Sequence, residues 1–360
     1  MQSPVSLTDI YEQLGGAGNS ALYKSPNNDG IWALNANVTI LSGSTLNIDS
    51  KDTKWLKIIS DGKTLAYGIH IYGNMKIDSV KITSWNPETN HYVESHGSRQ
   101  TGKIVHVGAR PYIRIEHHGT GSTNITNSEI AYLGYEGGWG SGTSGLHYHL
   151  AGHGSVIRNN NIHHLYFGFY SVGVGGMVIE NNRIHNMGHY GVDPHTGTHD
   201  MIIRNNTVYD NNSTAIICSL DCYNILIEKN KVYNNTGSGI TFSRNMTNSV
   251  ARNNLVHDQK NAIRVSQSHN NEIYNNTILN SNPGITLRNG SSANKLYLNS
   301  IINSTNATSI MTGAHGNMLY SNTIVLNDDT TNARAILFDN NPKSLDNTFI
   351  DNKIVNTTKT

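Results

Sequence analysis

Short runs of alternating apolar and polar residues dominate the chain, and each run is only a few residues long. Residues 38–41 and 55–59 are early examples. Alternation with a period of two predicts half-buried β-strands, and the Asn, Gly and Ser between the runs favour tight turns over helices. Residues 6–14 differ, because their amphipathic spacing predicts a short helix that is capped by Ser6 and ends at Gly15.

An Asn-rich tetrad, Asn-Asn-x-(Ile/Val) or a close variant, recurs at nearly constant spacing. Its second residue falls at Asn160, Asn182, Asn206, Asn230, Asn254, Asn276, Asn299, Asn322 and Asn352. The first eight are 22 to 24 residues apart, and the last follows after 30. Such a period is typical of parallel β-helix coils, in which stacked amides at one bend can hydrogen-bond from coil to coil. We therefore predict an all-β fold, a right-handed parallel β-helix with a short N-terminal capping helix.

The repeat also aligns the coils on the small residue that precedes each second strand. Those residues are Gly145, Gly168, Gly191, Ala215, Gly239, Ala262 and Gly284. The next position is apolar in every coil, which predicts a column of core residues: Leu146, Phe169, Val192, Ile216, Ile240, Ile263 and Ile285. Because strand side chains alternate, the second and fourth positions after the small residue are expected on the outer face.

That outer face carries most of the reactive side chains of the chain. Its second-position column contains His147, Tyr170, Asp193 and Arg264, and its fourth-position column contains His149, His195 and Ser219. Imidazoles, phenols and guanidinium groups stacked across several coils suit a linear polymer that lies over the strands. The alternative is a solvated face whose His and Arg residues only keep the strands soluble.

The densest chemistry lies in residues 189–200, which contain a phenol, two carboxylates and three imidazoles. Asp193 and His195 share one strand face, and Tyr190 comes close to them if Gly191 bends the chain. An imidazole, a carboxylate and a phenol are the groups that a proton-transfer site needs. The competing interpretation is a turn-forming Asp-Pro pair with a solvent-exposed His.

Composition agrees with an elongated repeat protein and excludes several function classes. Charged residues are 14% and aromatic residues 8% of the chain. The formal net charge is only +1, so the chain lacks the overall positive charge of nucleic-acid-binding domains. Cys218 and Cys222 could form a disulfide or remain free, and a zinc site is the weaker interpretation. No apolar run approaches the length of a membrane span, and no signal peptide is visible.

On this face, the segment Tyr190-Gly191-Val192-Asp193-Pro194-His195 resembles the catalytic signature of the mannuronan C-5 epimerases of alginate metabolism, Tyr-Gly-(aromatic or aliphatic)-Asp-Pro-His. Residues 128–135, 166–170 and 238–245 are similar to the stretches that flank this motif in the periplasmic bacterial enzymes. The resemblance implies conversion of mannuronate to guluronate in a polyuronate, by removal of the carbon-5 proton and its return on the opposite face.

The resemblance also implies roles for individual residues. It makes His195 the base or its partner, Tyr190 the acid or base of the opposite face, and Asp193 the group that orients the imidazole. Arg244 is the candidate for the clamp that neutralises the uronate carboxylate. The residues expected to bind substrate are His147, His149, Tyr170, Ser219, Asp221 and Arg264.

The chain departs from the family pattern in two places. Thr196 follows His195 where the family often has an acidic residue, and Ser219 occupies the next coil where some members carry Arg or Asp. Asp221 can substitute across the bend, or neutralisation can rest on Arg244 and Arg264. Calcium-binding nonapeptide repeats are lacking, so neither calcium nor another cofactor or metal is implied.

Two other functions use the same face. A polyuronate lyase would form the same carbanion and expel the 4-linked oxygen, whereas a surface carbohydrate-binding β-helix would not catalyse at all. Metal delivery by His147, His149, His195 and His199 is a weaker alternative. We expect a monomer that acts on a linear anionic polysaccharide in the periplasm, at the cell surface or outside the cell. We expect one domain over residues 1–360, with a cap at 1–36, coils at 37–329 and closing coils at 330–360.

Overall fold

A computed structural model describes residues 4–96, 98–100, 103–105, 108–137, 142–327, 333–339 and 344–357. The chain divides into two compact units, Met1–Gly188 and His189–Thr360, and each is described by itself. Each unit consists of coils that run through three sheets in a fixed order, and we number the sheets 1, 2 and 3 in that order. The predicted parallel β-helix is therefore confirmed.

The first unit opens with the predicted helix, Leu7–Gln13, followed by the short 3₁₀ helix Gly16–Gly18. Ser6 is the N-cap, because its hydroxyl accepts the backbone N–H of Asp9 and the Asp9 carboxylate accepts the backbone N–H of Ser6. This reciprocal capping box satisfies two of the donors that a helix start leaves unpaired.

The strands of the first unit pair in parallel, except the opening pair of sheet 3 and a separate hairpin. Sheet 1 contains Val38–Ile40, Gly68–Ile71, Tyr112–Ile115, Gly145–His149 and Phe167–Val172. Sheet 2 contains Thr45–Asp49, Asn74–Asp78, Thr123–Thr126, Val156–Arg158 and Val178–Glu180. Sheet 3 contains Leu22–Lys24, Ile31–Leu34, Trp55–Ile59, Lys81–Trp85, Glu129–Ala131, Asn161–His163 and Arg183–His185, and the hairpin is Ser98–Gln100 with Lys103–Val105.

All strand pairs of the second unit are parallel. Sheet 1 contains Val192–His195, Ile216–Ser219, Ser238–Ser243, Asn261–Ser266, Ile285–Arg288, Asn306–Ile310 and Arg334–Phe338. Sheet 2 contains Ile202–Arg204, Leu226–Glu228, Val250–Arg252, Glu272–Tyr274, Lys295–Tyr297, Met318–Tyr320 and Thr348–Ile350. Sheet 3 contains Thr207–Tyr209, Lys231–Tyr233, Leu255–His257, Thr277–Leu279, Ser300–Ile302, Thr323–Asn327 and Lys353–Thr357.

The tetrad Asn residues form the predicted buried ladder. In the second unit the side-chain oxygen of Asn254 accepts the backbone N–H of Asn230 at 2.9 Å and its side-chain N–H at 3.0 Å. The amide of Asn254 in turn donates to the carbonyl of Ile227 at 3.0 Å. Each Asn thus satisfies buried backbone groups of the preceding coils, which burial requires.

The predicted core column is confirmed in both units, because all seven of its side chains are at most 1% exposed. The register differs from the prediction at one place in the first unit. Gly145 pairs with Phe167 instead of Gly168, and the register shifts before His147 pairs with Tyr170. Gly145 has a φ of 126°, a conformation that glycine adopts without steric strain, so the strand starts with an irregularity that a fixed period does not predict.

The closing coils contain strands where expected, over Arg334–Phe338 and Thr348–Ile350. The boundary at 329/330 lies outside the described residues, and the single domain over 1–360 stays a prediction. No helix in the described part of the chain is long and apolar enough to cross a membrane.

Candidate functional site

Tyr190, Asp193 and His195 lie at the start of the second unit. Asp193 and His195 are in the first strand of its sheet 1, Val192–His195, and Tyr190 precedes that strand. The prediction placed these side chains on an outer face, yet Asp193 is only 2% and His195 only 7% exposed. The interpretation of a solvated His is therefore wrong, because neighbouring side chains cover the imidazole.

The ring of His195 lies within hydrogen-bond distance of Arg244 and Thr196. Nη2 of Arg244 lies 2.9 Å from Nε2, and the hydroxyl of Thr196 lies 2.6 Å from Nδ1. A guanidinium group can only donate, so Nε2 accepts and the ring proton is on Nδ1, which donates to Thr196. We expected Asp193 to orient this ring, but Thr196 and Arg244 make these bonds. Oδ1 of Asp193 has no hydrogen-bond partner in the described part of the chain.

Arg244 reaches His195 from a bend two coils further along the chain. Its φ of 51° is in the left-handed region, which costs a non-glycine residue roughly 1–2 kcal/mol. Nε and Nη2 of Arg244 donate to the hydroxyl of Ser219 at 2.9 and 2.6 Å. Ser219 is 1% exposed and pairs with His195 in the adjacent strand, so it supports the guanidinium beside the ring.

Burial shifts the protonation of both groups in this strand. The pKa of His195 falls to about 4, because burial disfavours the imidazolium and the charge of Arg244 adds to the effect. The pKa of Asp193 lies well above its ordinary value of 3.8, because burial of the carboxyl outweighs the attraction of Arg244. The site therefore favours a neutral imidazole and a protonated carboxylic acid.

Tyr190 shares the electrostatic environment of this site. Burial raises the pKa of its phenol, and Asp193 raises it further, while Arg244, Arg264 and a hydrogen bond with Ser213 act in the opposite direction. The phenol consequently stays protonated at neutral pH, as a proton donor should.

Arg264 lies near Tyr190, whereas Asp221 makes its contact elsewhere. Arg264 interacts electrostatically with Tyr190, and its Nε is buried without a hydrogen-bond partner among the described residues. Asp221 is exposed, and its carboxylate accepts a hydrogen bond from Asn245 at 2.8 Å. Within the described residues Asp221 makes no ion pair with Arg244. The structure therefore does not support the idea that Asp221 takes the place of the Arg or Asp that some family members carry on this coil.

His147, His149 and Tyr170 lie together in the first unit. His147 pairs with Tyr170 in adjacent strands, with ring centroids 4.9 Å apart, and the ring of His149 is 6.1 Å from that of His147. Burial is the main cause that lowers the pKa of His147, to about 3, and the charge of Arg114 contributes. Their role in substrate binding stays a prediction.

Sequence reasoning missed several residues of these clusters. Thr196 appeared only as a departure from the family pattern, although a hydroxyl next to a reactive His is a usable signal. In the first unit Arg114 donates to Nδ1 of His149 at 3.3 Å and forms an ion pair with Glu116 at 3.1 Å. Glu116 also lies 2.6 Å from Nδ1 of His70. Arg114, Glu116 and His70 all precede Gly145, where the alignment of the coils began, so the predicted columns did not include them.

Cys218 and Cys222 are buried free thiols, and burial raises the pKa of Cys222 to about 12. Of the alternatives left open by the sequence, the structure thus supports two free thiols. No group of three or more His, Cys, Asp or Glu side chains in the described ranges is arranged to hold a metal ion.

Comparison with known proteins tests the fold. A family model described as a right-handed β-helix region matches residues 113–278. The fold is a right-handed parallel β-helix. No curated protein sequence matches the chain.

Three solved structures share this architecture. The periplasmic alginate epimerase AlgG has a TM-score of 0.78 at 20% identity, covering 98% of this chain and 84% of its own. The Dettilon tailspike protein gp208 has a TM-score of 0.62 at 15% identity, covering 86% and 61%. The A-module of the Azotobacter vinelandii mannuronan C-5 epimerase AlgE6 has a TM-score of 0.58 at 16% identity, covering 97% and 93%. Structural neighbours thus include the epimerases that residues 190–195 resemble, and at these identities the likeness establishes the fold.

Proposed function

We propose that the protein is a C-5 epimerase that converts mannuronate to guluronate residues in an alginate-like polyuronate. The observation that carries the proposal is the contact between Arg244 and Nε2 of His195 beside Tyr190. A neutral imidazole, a protonated phenol and a guanidinium group supply the base, the acid and the charge that carbon-5 epimerisation needs.

Arg244 has two successive roles in this mechanism. In the structure it donates to Nε2 of His195 and occupies the lone pair that would act as the base. A uronate carboxylate binds guanidinium more strongly than a neutral imidazole does, because both partners are charged and the contact can be bidentate. Substrate binding would therefore draw Arg244 to the carboxylate and release Nε2 beside the carbon-5 proton.

The reaction removes one proton from carbon 5 and returns one, so it needs no oxidant or reductant. The carbon-5 to hydrogen bond breaks, the proton moves to Nε2 of His195, and the electron pair is delocalised into the substrate carboxylate as an enediolate. Arg244 stabilises the added charge. The phenol of Tyr190 donates its proton to the opposite face of carbon 5, and exchange with solvent restores both residues.

Asp193 and Ser219 act through these groups. Ser219 fixes the guanidinium of Arg244, and Asp193, whose pKa is raised by burial, lies two residues before His195 on the same strand. The neighbour AlgG is described as periplasmic, which supports a location outside the cytoplasm for the present chain as well.

Proton NMR of polymannuronate incubated with the protein in deuterated water tests the proposal. We expect guluronate signals with deuterium at carbon 5, and their loss in His195→Ala and Tyr190→Phe. Lys231→Gln, an exposed change in sheet 3, is the matched control and should keep full activity. Unsaturated chain ends would show that the protein is a lyase and not an epimerase. A polymer that stays unchanged would contradict catalysis on polymannuronate.

A further inference from the structure

Two histidines at one bend of the first unit face each other. His163 ends the sheet 3 strand Asn161–His163, and His164 follows it at the bend. Nδ1 of His163 lies 2.8 Å from Nδ1 of His164. Successive residues of a strand point to opposite faces, but His164 has a φ of 55°, in the left-handed region. The bend therefore lets two neighbouring imidazoles meet through the same ring nitrogen.

The same bend of other coils pairs a histidine with an amide or a carboxylate. Nδ1 of His185 lies 2.6 Å from Oδ1 of Asn186, and Nδ1 of His257 lies 2.6 Å from Oδ2 of Asp258. Asn186 and Asp258 have φ values of 55° and 52°, close to that of His164. Asn or Asp is thus sufficient for this bend, whereas His164 adds a second ring nitrogen.

Glu129 fixes the tautomer of His163. Its Oε1 lies 3.3 Å from Nε2 of His163 and 2.9 Å from Nζ of Lys81. A carboxylate can only accept, so Nε2 of a neutral His163 carries the ring proton and Nδ1 carries the lone pair. The proton between the two rings therefore belongs to His164. Imidazoles that bind metal ions usually donate their other N–H to a carboxylate in this way.

The spacing of the two Nδ1 atoms fits a chelated metal ion. Imidazole nitrogens bind such ions at roughly 2.0–2.1 Å. At that distance two nitrogens are roughly 2.9 Å apart on adjacent corners of a square, and roughly 3.3 Å apart in a tetrahedron. The observed 2.8 Å is close to the square arrangement. Cu²⁺ and Ni²⁺ prefer that arrangement, whereas Zn²⁺ prefers the tetrahedron.

Ring stacking orders both imidazoles. The ring of His164 stacks on that of Tyr132 with centroids 4.7 Å apart, and the ring of His163 stacks on that of His185 at 5.2 Å. Ordered side chains lose little conformational entropy when they bind a ligand. The pair is therefore better prepared for chelation than two mobile surface histidines.

We propose that His163 and His164 chelate one Cu²⁺ or Ni²⁺ ion through their Nδ1 atoms. The ion takes the place of the proton between the rings, and that proton passes through solvent to Nε2 of His164. Both imidazoles stay neutral, and the metal keeps its oxidation state. In the described part of the chain no third His, Cys, Asp or Glu completes the pair, so water fills the remaining positions. Glu129, at the opposite nitrogen of His163, supplies a negative charge for the bound cation.

Copper binding to the protein without a histidine tag tests the site. Titration of the metal-free protein with Cu²⁺ in glycine buffer, followed by electron paramagnetic resonance, should show one tetragonal ion that is bound by two imidazole nitrogens. The chain has 18 histidines, so the difference between the parent and its variants decides the outcome. His164→Asn should bind Cu²⁺ about tenfold more weakly or worse. It should keep the melting temperature, because Asn186 occupies the same bend of the next coil.

Two further variants complete the test. His163→Gln should weaken Cu²⁺ binding like His164→Asn. His257→Asn is the matched control, because it removes an imidazole from the same position of a sheet 3 strand in the second unit, and it should leave the affinity unchanged. Equal affinities of the parent and His164→Asn would overturn the site. Full displacement of Cu²⁺ by an equal concentration of Zn²⁺ would overturn the assignment to a tetragonal ion.

Discussion

Nη2 of Arg244 lies 2.9 Å from Nε2 of His195, so the guanidinium group covers the lone pair of this imidazole. The contact is favourable only while the imidazole is neutral, because protonation would place two cations together. A uronate carboxylate reverses this preference, since it attracts both the guanidinium group and an imidazolium. Under the proposed function, this contact couples release of the base to arrival of the uronate carboxylate.

Replacing Arg244 should separate catalysis from folding. Asn tolerates the left-handed conformation of this bend, so Arg244→Asn should keep the melting temperature within about 4 °C. It removes the clamp for the substrate carboxylate, and kcat/KM should fall by about a hundredfold or more. Steady-state kinetics and calorimetry measure the two effects.

Gln267 provides the matched control, because it is exposed and has a φ of 52° at the same bend of the following coil. Gln267→Asn should change neither kcat/KM nor the melting temperature. Equal losses of activity in Arg244→Asn and Gln267→Asn would contradict the assigned role of Arg244.

The pH dependence of activity should report the depressed pKa of His195. The base must be neutral, so kcat/KM should persist below pH 6.5 and fall only as the pH approaches about 4. Histidine titration by NMR should show a higher His195 pKa in Arg244→Asn, because one cause of the depression is removed while burial remains. A loss of kcat/KM with a midpoint near pH 6.5 in the parent protein would show that the pKa of His195 is not lowered.

The buried carboxyl of Asp193 should reduce stability at neutral pH. Its folded-state pKa is raised, so the folded protein binds more protons than the unfolded chain above the ordinary value of 3.8. The free energy of unfolding should therefore fall as pH rises from about 4 towards the folded-state pKa. Asp193→Asn cannot ionise and should be more stable by about 1–3 kcal/mol at pH 7, although less active.

Urea unfolding at several pH values measures this difference. The gain from Asp193→Asn should shrink as the pH is lowered towards 4, whereas the exposed control Asp221→Asn should change stability little. A destabilised Asp193→Asn at every pH would show that the carboxyl has partners that hold it in place.

The Asn ladder should contribute measurably to stability. Asn254→Ala deprives Asn230 of its acceptor and the carbonyl of Ile227 of its donor, so the free energy of unfolding should fall by about 3 kcal/mol. Asn234 is exposed with a φ of 57°, and Asn234→Gly should cost far less. Similar losses in the two variants, measured by urea unfolding, would argue against the ladder.

The fold followed from the sequence because its signal is repeated. A buried amide is needed at the same bend of every coil, so Asn254 and its counterparts recur at the period of the coil. A second buried ladder, from Asn271 through Asn294 and Asn317 to Asn347, was missed. Asn271 has the Asn-Asn-x-Ile context, but Asn294, Asn317 and Asn347 each follow a residue other than Asn, so a search for one tetrad does not follow this ladder from coil to coil.

The site was only partly predictable. The motif predicts that Tyr190 lies near Asp193 and His195, and strand alternation predicts that the last two share a face. Alternation does not specify how a long side chain turns at a bend, so the contact of Arg244 with both Ser219 and His195 could not be derived. The role of Asp193 as the orienting group stays a prediction; it assumed a carboxylate, whereas burial raises the pKa of this group and favours the neutral acid.

The bend after each of the first five sheet 1 strands of the second unit has a left-handed backbone conformation, while its side chain varies. Its left-handed residues are Thr196, Leu220, Arg244, Gln267 and Asn289. A hydroxyl, an alkyl group, a cation and two amides therefore occupy equivalent backbone positions in successive coils. Such a row could be randomised as a combinatorial library beside the proposed path of a glycan, because a change of side chain leaves the coil beneath it folded.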